Sequence, residues 1–323
     1  MDIHLPNSAF IGNIDSFLAS FKPSSSDKLI ITANENWISV HPVVLCMVAS
    51  LGLTVDPKKI DCKPILAKSA HYLERMGLYK FLGVKAATPL VEHEAAGRFV
   101  PLTQIKTSAA LTEFLTDIIP LLHLAETPRH AESIRYIISE LVRNVLEHSR
   151  SEYGAIVSAQ YFKKTNTIRI GIADTGVGIR QTINQSYPTP NDIESIRLAL
   201  MPGVTGTTRR EGGTEQNAGA GLFFIKSIAS INRNFFMIYS GDALYKLLMR
   251  KPVKHGIALH ADPFEDRHSV KTALPYWRGT VVGIDISLDA TSEFNSLLDL
   301  IRRTYATAVR ERRKARYRKA RFI

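Results

Sequence analysis

Cysteine is nearly absent from this 323-residue chain, which carries only Cys46 and Cys62. Two thiols in separate segments, without CxxC spacing, exclude a disulfide framework and a thiolate metal site. They read as reduced, buried thiols. Long apolar runs are missing as well. The longest, Val43–Leu53, is interrupted by Ser50 and Gly52 and falls well short of the ~20 residues that span a bilayer. The opening Met-Asp-Ile-His-Leu-Pro has neither a basic start nor an apolar core, so no secretory signal is read there and a cytoplasmic location is expected. Neither GxxxxGK[ST] nor GxGxxG occurs, which sets aside the P-loop and Rossmann nucleotide sites. Internal repeats are also lacking.

What is present suits an α/β protein of two domains plus an extension. Hydrophobic residues make up 45% of the chain, ample for packed cores. The net charge of +11 is concentrated at one end. Residues 302–323 hold ten Lys or Arg against one acid, Glu311, and so account for nine of the eleven charges. The run from Arg310 to Arg321 reads as a polybasic appendage outside the fold. Nucleic-acid phosphate, an acidic protein or an anionic membrane surface would each complement it. Tyr305, Tyr317 and Phe322 could stack on bases.

Three segments carry the chemistry. In the first, Ile134, Ile137, Ile138, Leu141, Val142 and Val145 recur at helical spacing, so Ile134–His148 reads as an amphipathic helix. Glu140, Asn144 and His148 then fall on one polar line beside the apolar stripe. A carboxylate there can deprotonate a water, and an amide oxygen one turn on can hold Mg²⁺. Second, Thr167–Ala173 alternates as a strand and ends in Asp174-Thr-Gly176-Val-Gly178. Asp174 can accept a hydrogen bond from an exocyclic amine, while Gly176 and Gly178 permit close backbone approach and positive φ. Third, Asn217-Ala-Gly219-Ala-Gly221-Leu opens a helix beginning near Phe223, where free N–H groups can meet phosphate. Between the last two lies the Gly- and Thr-rich stretch Gly203–Thr214, in which Thr205, Thr207, Arg209 and Arg210 are candidate phosphate contacts.

The three segments in this order resemble the ATP site of the GHKL family (gyrase, Hsp90, histidine kinases and MutL). The resemblance covers roughly residues 105–290. It implies a two-layer α/β sandwich of the Bergerat type, with ATP and Mg²⁺ as ligands. Asn144 would bind the metal, and Glu140 would be the general base of a hydrolysing member. Asp174 would read the adenine amino group, Gly219 and Gly221 would cradle phosphate, and residues 203–214 would form the lid. Arg278–Leu288 is similar to the family's closing strand, in which Thr280 would sit beside Asp174. Members commonly dimerise, which these residues neither require nor exclude.

Residues 1–95 read as a separate small α/β domain. Strands are expected at 27–33 and around Val55–Cys62, with a buried helix over Val43–Leu51 and a last helix, from Ser69, ending near Gly77. That last segment resembles the closing helix of STAS (anti-anti-sigma) domains. Ser39 stands near the position of their phosphoacceptor, but Ile38 precedes it where that family has Asp. Residues 91–104 read as a linker, 108–124 as a helix, and 291–323 as a helical basic extension.

Three functions follow from different classes. The first is a slow ATPase acting as a nucleotide-driven switch towards a protein partner. The second is an anti-sigma-type protein serine kinase, and the third a non-catalytic regulator that binds nucleic acid through residues 302–323. His123-Leu-Ala-Glu-Thr127-Pro128 is similar to the phosphoacceptor box of sensor kinases. However, Leu124 replaces the acid expected there, and the 21 positions from His123 to Asn144 leave no room for a second dimerisation helix.

Overall fold

The computed structural model describes residues 1–22, 27–85, 99–122, 124, 128–206, 220–249, 259–289 and 294–319. The N-terminal unit runs β1 (Asp2–Leu5), β2 (Ser8–Ala9), α1 (Asp15–Ser20), β3 (Leu29–Ala33), β4 (Ser39–Val40), α2 (Pro42–Leu53), β5 (Ile60–Cys62), α3 (His71–Arg75) and α4 (Leu78–Leu82). Strands β1, β3 and β5 form an all-parallel sheet with β3 in the centre, and helical crossovers supply the connections such pairing needs. The expected strand at 27–33 and the helix after Pro42 are both present. The helix from Ser69 ends near Gly77, as expected; Gly77 adopts φ +78, and a second short helix, α4, follows it.

The second unit runs β6 (Phe99–Ile105), α5 (Ser108–Leu121), α6 (Pro128–Asn144), β7 (Ala155–Phe162), β8 (Thr167–Ala173), α7 (Gly178–Ile183), α8 (Asp192–Ala199), α9 (Gly221–Ile231), β9 (Phe236–Gly241), β10 (Ala243–Leu247), β11 (His268–Lys271), β12 (Trp277–Ser287) and α10 (Phe294–Lys319). Its seven strands pair in the order β11-β10-β9-β12-β8-β7-β6, all antiparallel. The sheet therefore starts at Phe99, inside the stretch expected to be linker. Pro101 hides this strand in the sequence. It is tolerated because β6 is an edge strand whose register shifts between Val100 and Thr103.

Side chains alternate across this sheet. Val157, Ala159, Ile168, Ile170, Ile172 and Ile284 face a core shared with the helices. Ile156, Ala173, Met237, Tyr239, Trp277 and Val281 face the N-terminal unit. The second unit by itself is a sheet backed by helices, and the N-terminal unit covers the sheet's other face as a third layer. Contact is closest at Gly171 of β8, where a Cβ would lie 2.3 Å from both N and Cα of Val43 at the head of α2. Beside it Cys46 donates to the Gly171 carbonyl at 3.2 Å. Gly171→Val should therefore push α2 off the sheet and cost on the order of 1–3 kcal/mol, the usual range for overpacking. Thermal denaturation checks this, and an unchanged midpoint would contradict the packing.

A buried polar group also joins the two units. Val43 N–H donates to His41 Nδ1 at 3.0 Å, so Nε2 carries the proton and donates to Asp285 at 3.0 Å. Burial lowers the His41 pKa more than Asp285 raises it, which keeps the ring neutral. The Arg169 guanidinium lies over the rings of Phe10 and Phe162 at 4.4 and 4.0 Å, and 3.6 Å from Asp285.

The basic extension needs correction. Its first half is part of the body, since Leu297, Leu298, Ile301 and Val309 of α10 are buried and Tyr305 packs on Phe223 and Phe224 of α9. Among the described residues, no helix is long and apolar enough to cross a membrane.

Candidate functional site

A cavity of about 340 Å³ opens on the helical face, walled by α6, α7, the head of α9 and strands β8 and β12. Seven of the expected site residues line it: Glu140, Asn144, Asp174, Gly178, Thr205, Gly221 and Thr280. Gly176 lies just behind the wall. Gly219, Thr207, Arg209 and Arg210 fall outside the described residues, as do His123 and Thr127.

Asp174 forms the closed end. It is 2% exposed, and burial pushes its carboxyl up from 3.8 to about 7 against the pull of the Gly176 and Thr280 backbone N–H groups. Its Oδ1 accepts from Gly176 N–H at 2.7 Å. Its backbone is fixed on both sides, since its N–H donates to Thr280 O at 2.9 Å and its carbonyl accepts from the Trp277 indole at 3.0 Å. One carboxylate oxygen is thus committed to the loop. Ile172 and Val282 from the sheet, with Ile179 and Ile183 from α7, form apolar walls beside the acid. Such a slot, closed by one polar acceptor, fits a flat ring that carries a donor.

The two motif glycines do different work. Gly178 has φ +78, as the motif suggested, but Gly176 has no positive φ. Gly176 is needed for proximity instead, because a Cβ there would lie 2.1 Å from the Ser149 carbonyl oxygen. Val177 N–H donates to that same carbonyl at 2.7 Å. Ser149 ends the π-helical turn Val145–Ser149, into which α6 widens immediately after Asn144. Such turns recur at functional sites. This one ties the helix bearing Glu140 and Asn144 to the loop bearing Asp174.

The other end of the cavity gathers at the head of α9, whose first N–H groups lack intrahelical partners. A Cβ on Gly221 would lie 2.6 Å from Glu140 Oε2 and 3.8 Å from Asn144 Nδ2. Asn144 Nδ2 is buried without a hydrogen-bond partner. Burial raises the Glu140 pKa, Arg143 opposes this, and Glu147 adds to it. A carboxylate moved towards neutrality is better matched to general-base work. Thr205 is buried in the wall. The neighbouring Gly206 lies so close to α7 that a Cβ would come within 2.3 Å of Thr182 O.

Helix α9 is anchored from behind by a fully buried ion pair. Lys226 Nζ lies 2.7 Å from Asp266 and donates to His260 O at 2.8 Å. Phe224 of the same helix packs against Tyr136, which lines the cavity.

Sequence reasoning missed Tyr136, Glu147 and Thr182. Tyr136 stands four residues before Glu140 on the same helical line, so its signal was available. Glu147 stands three residues after Asn144 and seven after Glu140, on the same helical face, so its signal was available too, whereas Thr182 lines the wall from α7.

No protein-family model matches the chain, and no curated protein matches it significantly. The chemistry of the cavity therefore rests on its residues. Among those described, no three His, Cys, Asp or Glu side chains converge on a common point. Asn144 Nδ2, the unpartnered atom, is a donor; with the amide turned over, its oxygen would face the cradle at Gly221 and fit a hard cation that takes one protein oxygen and keeps its remaining ligands from water and phosphate.

Proposed function

We propose that the cavity binds ATP with Mg²⁺, and that the protein is a GHKL-type slow ATPase whose nucleotide state sets its conformation towards a protein partner. The observation that carries this reading is one cavity with a buried carboxylate at its closed end. An acid and an amide whose nitrogen lacks a partner lie against a helix N-terminus at its other end. Asp174 would accept from the adenine amino group, and the α9 N–H groups would meet phosphate. Asn144, its amide turned so that oxygen faces the cavity, would hold Mg²⁺, which would neutralise charge on the phosphates. Glu140 would take the proton from the attacking water.

Two contacts support a switch. At the adenine end the Trp277 indole bonds the Asp174 backbone and packs on Phe21 of the N-terminal unit at 6.3 Å. At the phosphate end Tyr136, Phe224 and Tyr305 connect the cavity to α10 at 6.4 and 6.1 Å. A change at either end has a packed path to a surface element.

The serine-kinase alternative rests on the STAS-like reading of residues 1–95 and on Ser39. Ser39 lies on the N-terminal side of the seven-stranded sheet, whereas the cavity opens on the other side. Transfer within one molecule would have to cross that sheet, so a kinase of this arrangement would act on another chain. The nucleic-acid reading rests on the distal half of α10, since its proximal half is packed.

Incubation with γ-labelled ATP separates these readings. The account expects free labelled phosphate and no label retained on the chain. Label that survives denaturation on Ser39 would replace the ATPase with the kinase.

A further inference from the structure

We propose a second ligand site, in a crevice of about 460 Å³ between the N-terminal unit and the β6–β7 edge of the large sheet, that takes a small anion bearing a flat ring with an N–H donor. A nucleoside monophosphate has this chemistry.

Four observations converge. The Trp37 side chain stands at the crevice 55% exposed, and an indole in this setting offers a stacking surface worth on the order of 1–3 kcal/mol per base. Among the described residues, Lys68, His71 and Arg75 also line the crevice, and no carboxylate does. Among the described residues, neither Lys68 nor Arg75 forms an ion pair, so both cations are available to phosphate. Gln160 lines the crevice, and its Oε1 is buried without a hydrogen-bond partner. A buried lone acceptor is costly unless a ligand supplies a donor.

The walls are held in place. Ile38 N–H donates to Ser69 Oγ at 2.6 Å, and the Tyr72 hydroxyl donates to Val40 O at 3.1 Å. Phe162 lies under the Arg169 guanidinium at 4.0 Å. The volume is that of a small-molecule site. The large sheet separates this crevice from the cavity of Asp174 and Glu140, so the two sites are distinct and this inference does not rest on the ATP reading. The site also gives the N-terminal unit an input of its own. Arg169, behind Phe162, contacts Asp285, and Asp285 accepts from His41 at the head of α2.

The chain has two tryptophans, Trp37 and Trp277: Trp37 lines this crevice, and Trp277 senses the other site through its bond to the Asp174 carbonyl. Full-length protein labelled with 5-fluorotryptophan should give two ¹⁹F signals, assigned with Trp37→Phe. The four nucleoside 5′-monophosphates, their nucleosides and inorganic phosphate are titrated separately. At least one monophosphate should move the Trp37 signal saturably. Its nucleoside, and phosphate alone, should bind roughly tenfold more weakly or worse. Lys68→Ala with Arg75→Ala, both at exposed positions, should weaken binding by a similar factor. A 5′-phosphorylated oligonucleotide that binds more tightly than the monophosphate would identify a strand end as the source of the ligand. The proposal is overturned if no monophosphate moves Trp37, if phosphate alone binds as well, or if the double variant binds like wild type. Movement of Trp277 alone would report the Asp174 cavity and would also overturn it.

Discussion

Asp174→Asn should weaken adenosine binding by roughly tenfold to a hundredfold, the cost of one buried polar group left unpaired. The direction follows from the geometry of the loop. Asp174 Oδ1 accepts from Gly176 N–H at 2.7 Å, so an asparagine must keep its oxygen there and turn its NH₂ into the cavity. That donor then faces the adenine amino group, itself a donor. Wild-type affinity should also depend on pH. Burial holds the Asp174 carboxyl near 7, and the ionised form is the better acceptor, so adenosine affinity should rise from pH 6 to pH 8 and then level. Adenosine is the appropriate probe because it carries no phosphate that titrates in that range. In the free protein the sign is opposite. The native state keeps a proton that the unfolded chain releases near 3.8, so this group's contribution to stability falls as pH rises from about 4 to about 7. Calorimetry across this range, wild type beside Asp174→Asn, checks both effects. An identical pH profile in the variant would remove Asp174 from the site.

Glu140→Ala should lower ATP turnover by roughly a hundredfold to ten-thousandfold, the usual worth of a positioned general base, while ATP still binds. The Glu140 carboxylate sits at the α9 end of the cavity. It lies against Gly221 and 3.8 Å from Arg143, at the end assigned to phosphate. Steady-state phosphate release, with binding measured separately on the same preparation, separates the two effects. Turnover that survives would shift the base to Glu147 or His148, both in the cavity wall, and the corresponding alanine variants would show which.

The site was more legible than the fold. Helix Pro128–Asn144, strand Thr167–Ala173 and the helix opened by Gly221 follow from short-range patterns, and Glu140, Asn144, Asp174, Gly178 and Gly221, in or beside them, line one cavity. The stacking of the N-terminal unit on the large sheet could not be read in the same way. Gly171 meets Val43 across 128 positions, and no local period encodes a contact between a glycine and a helix head. Strand β6 was concealed by Pro101, which a central strand would not tolerate but an edge strand does. The last helix was misjudged because its charge dominates its composition. Leu297, Ile301, Tyr305 and Val309 recur every four residues and mark the face that packs on α9, a signal present in the sequence but outweighed by ten basic residues. The π turn after Asn144 had no local signature. It is held by the Ser149 carbonyl accepting from Val177, an interaction between segments distant in sequence.

Calorimetric titration of the wild-type protein with ATP and with GTP, each with Mg²⁺, tests the central claim most directly. GTP presents a carbonyl where adenine has its amino group, so at pH 8 and above, where Asp174 is ionised, it should reject GTP. The account predicts a saturable heat with ATP, in about the micromolar to millimolar range usual for substrates, and none with GTP over the same range. No heat with ATP, or equal affinity for the two, would contradict an adenine-reading cavity built around Asp174.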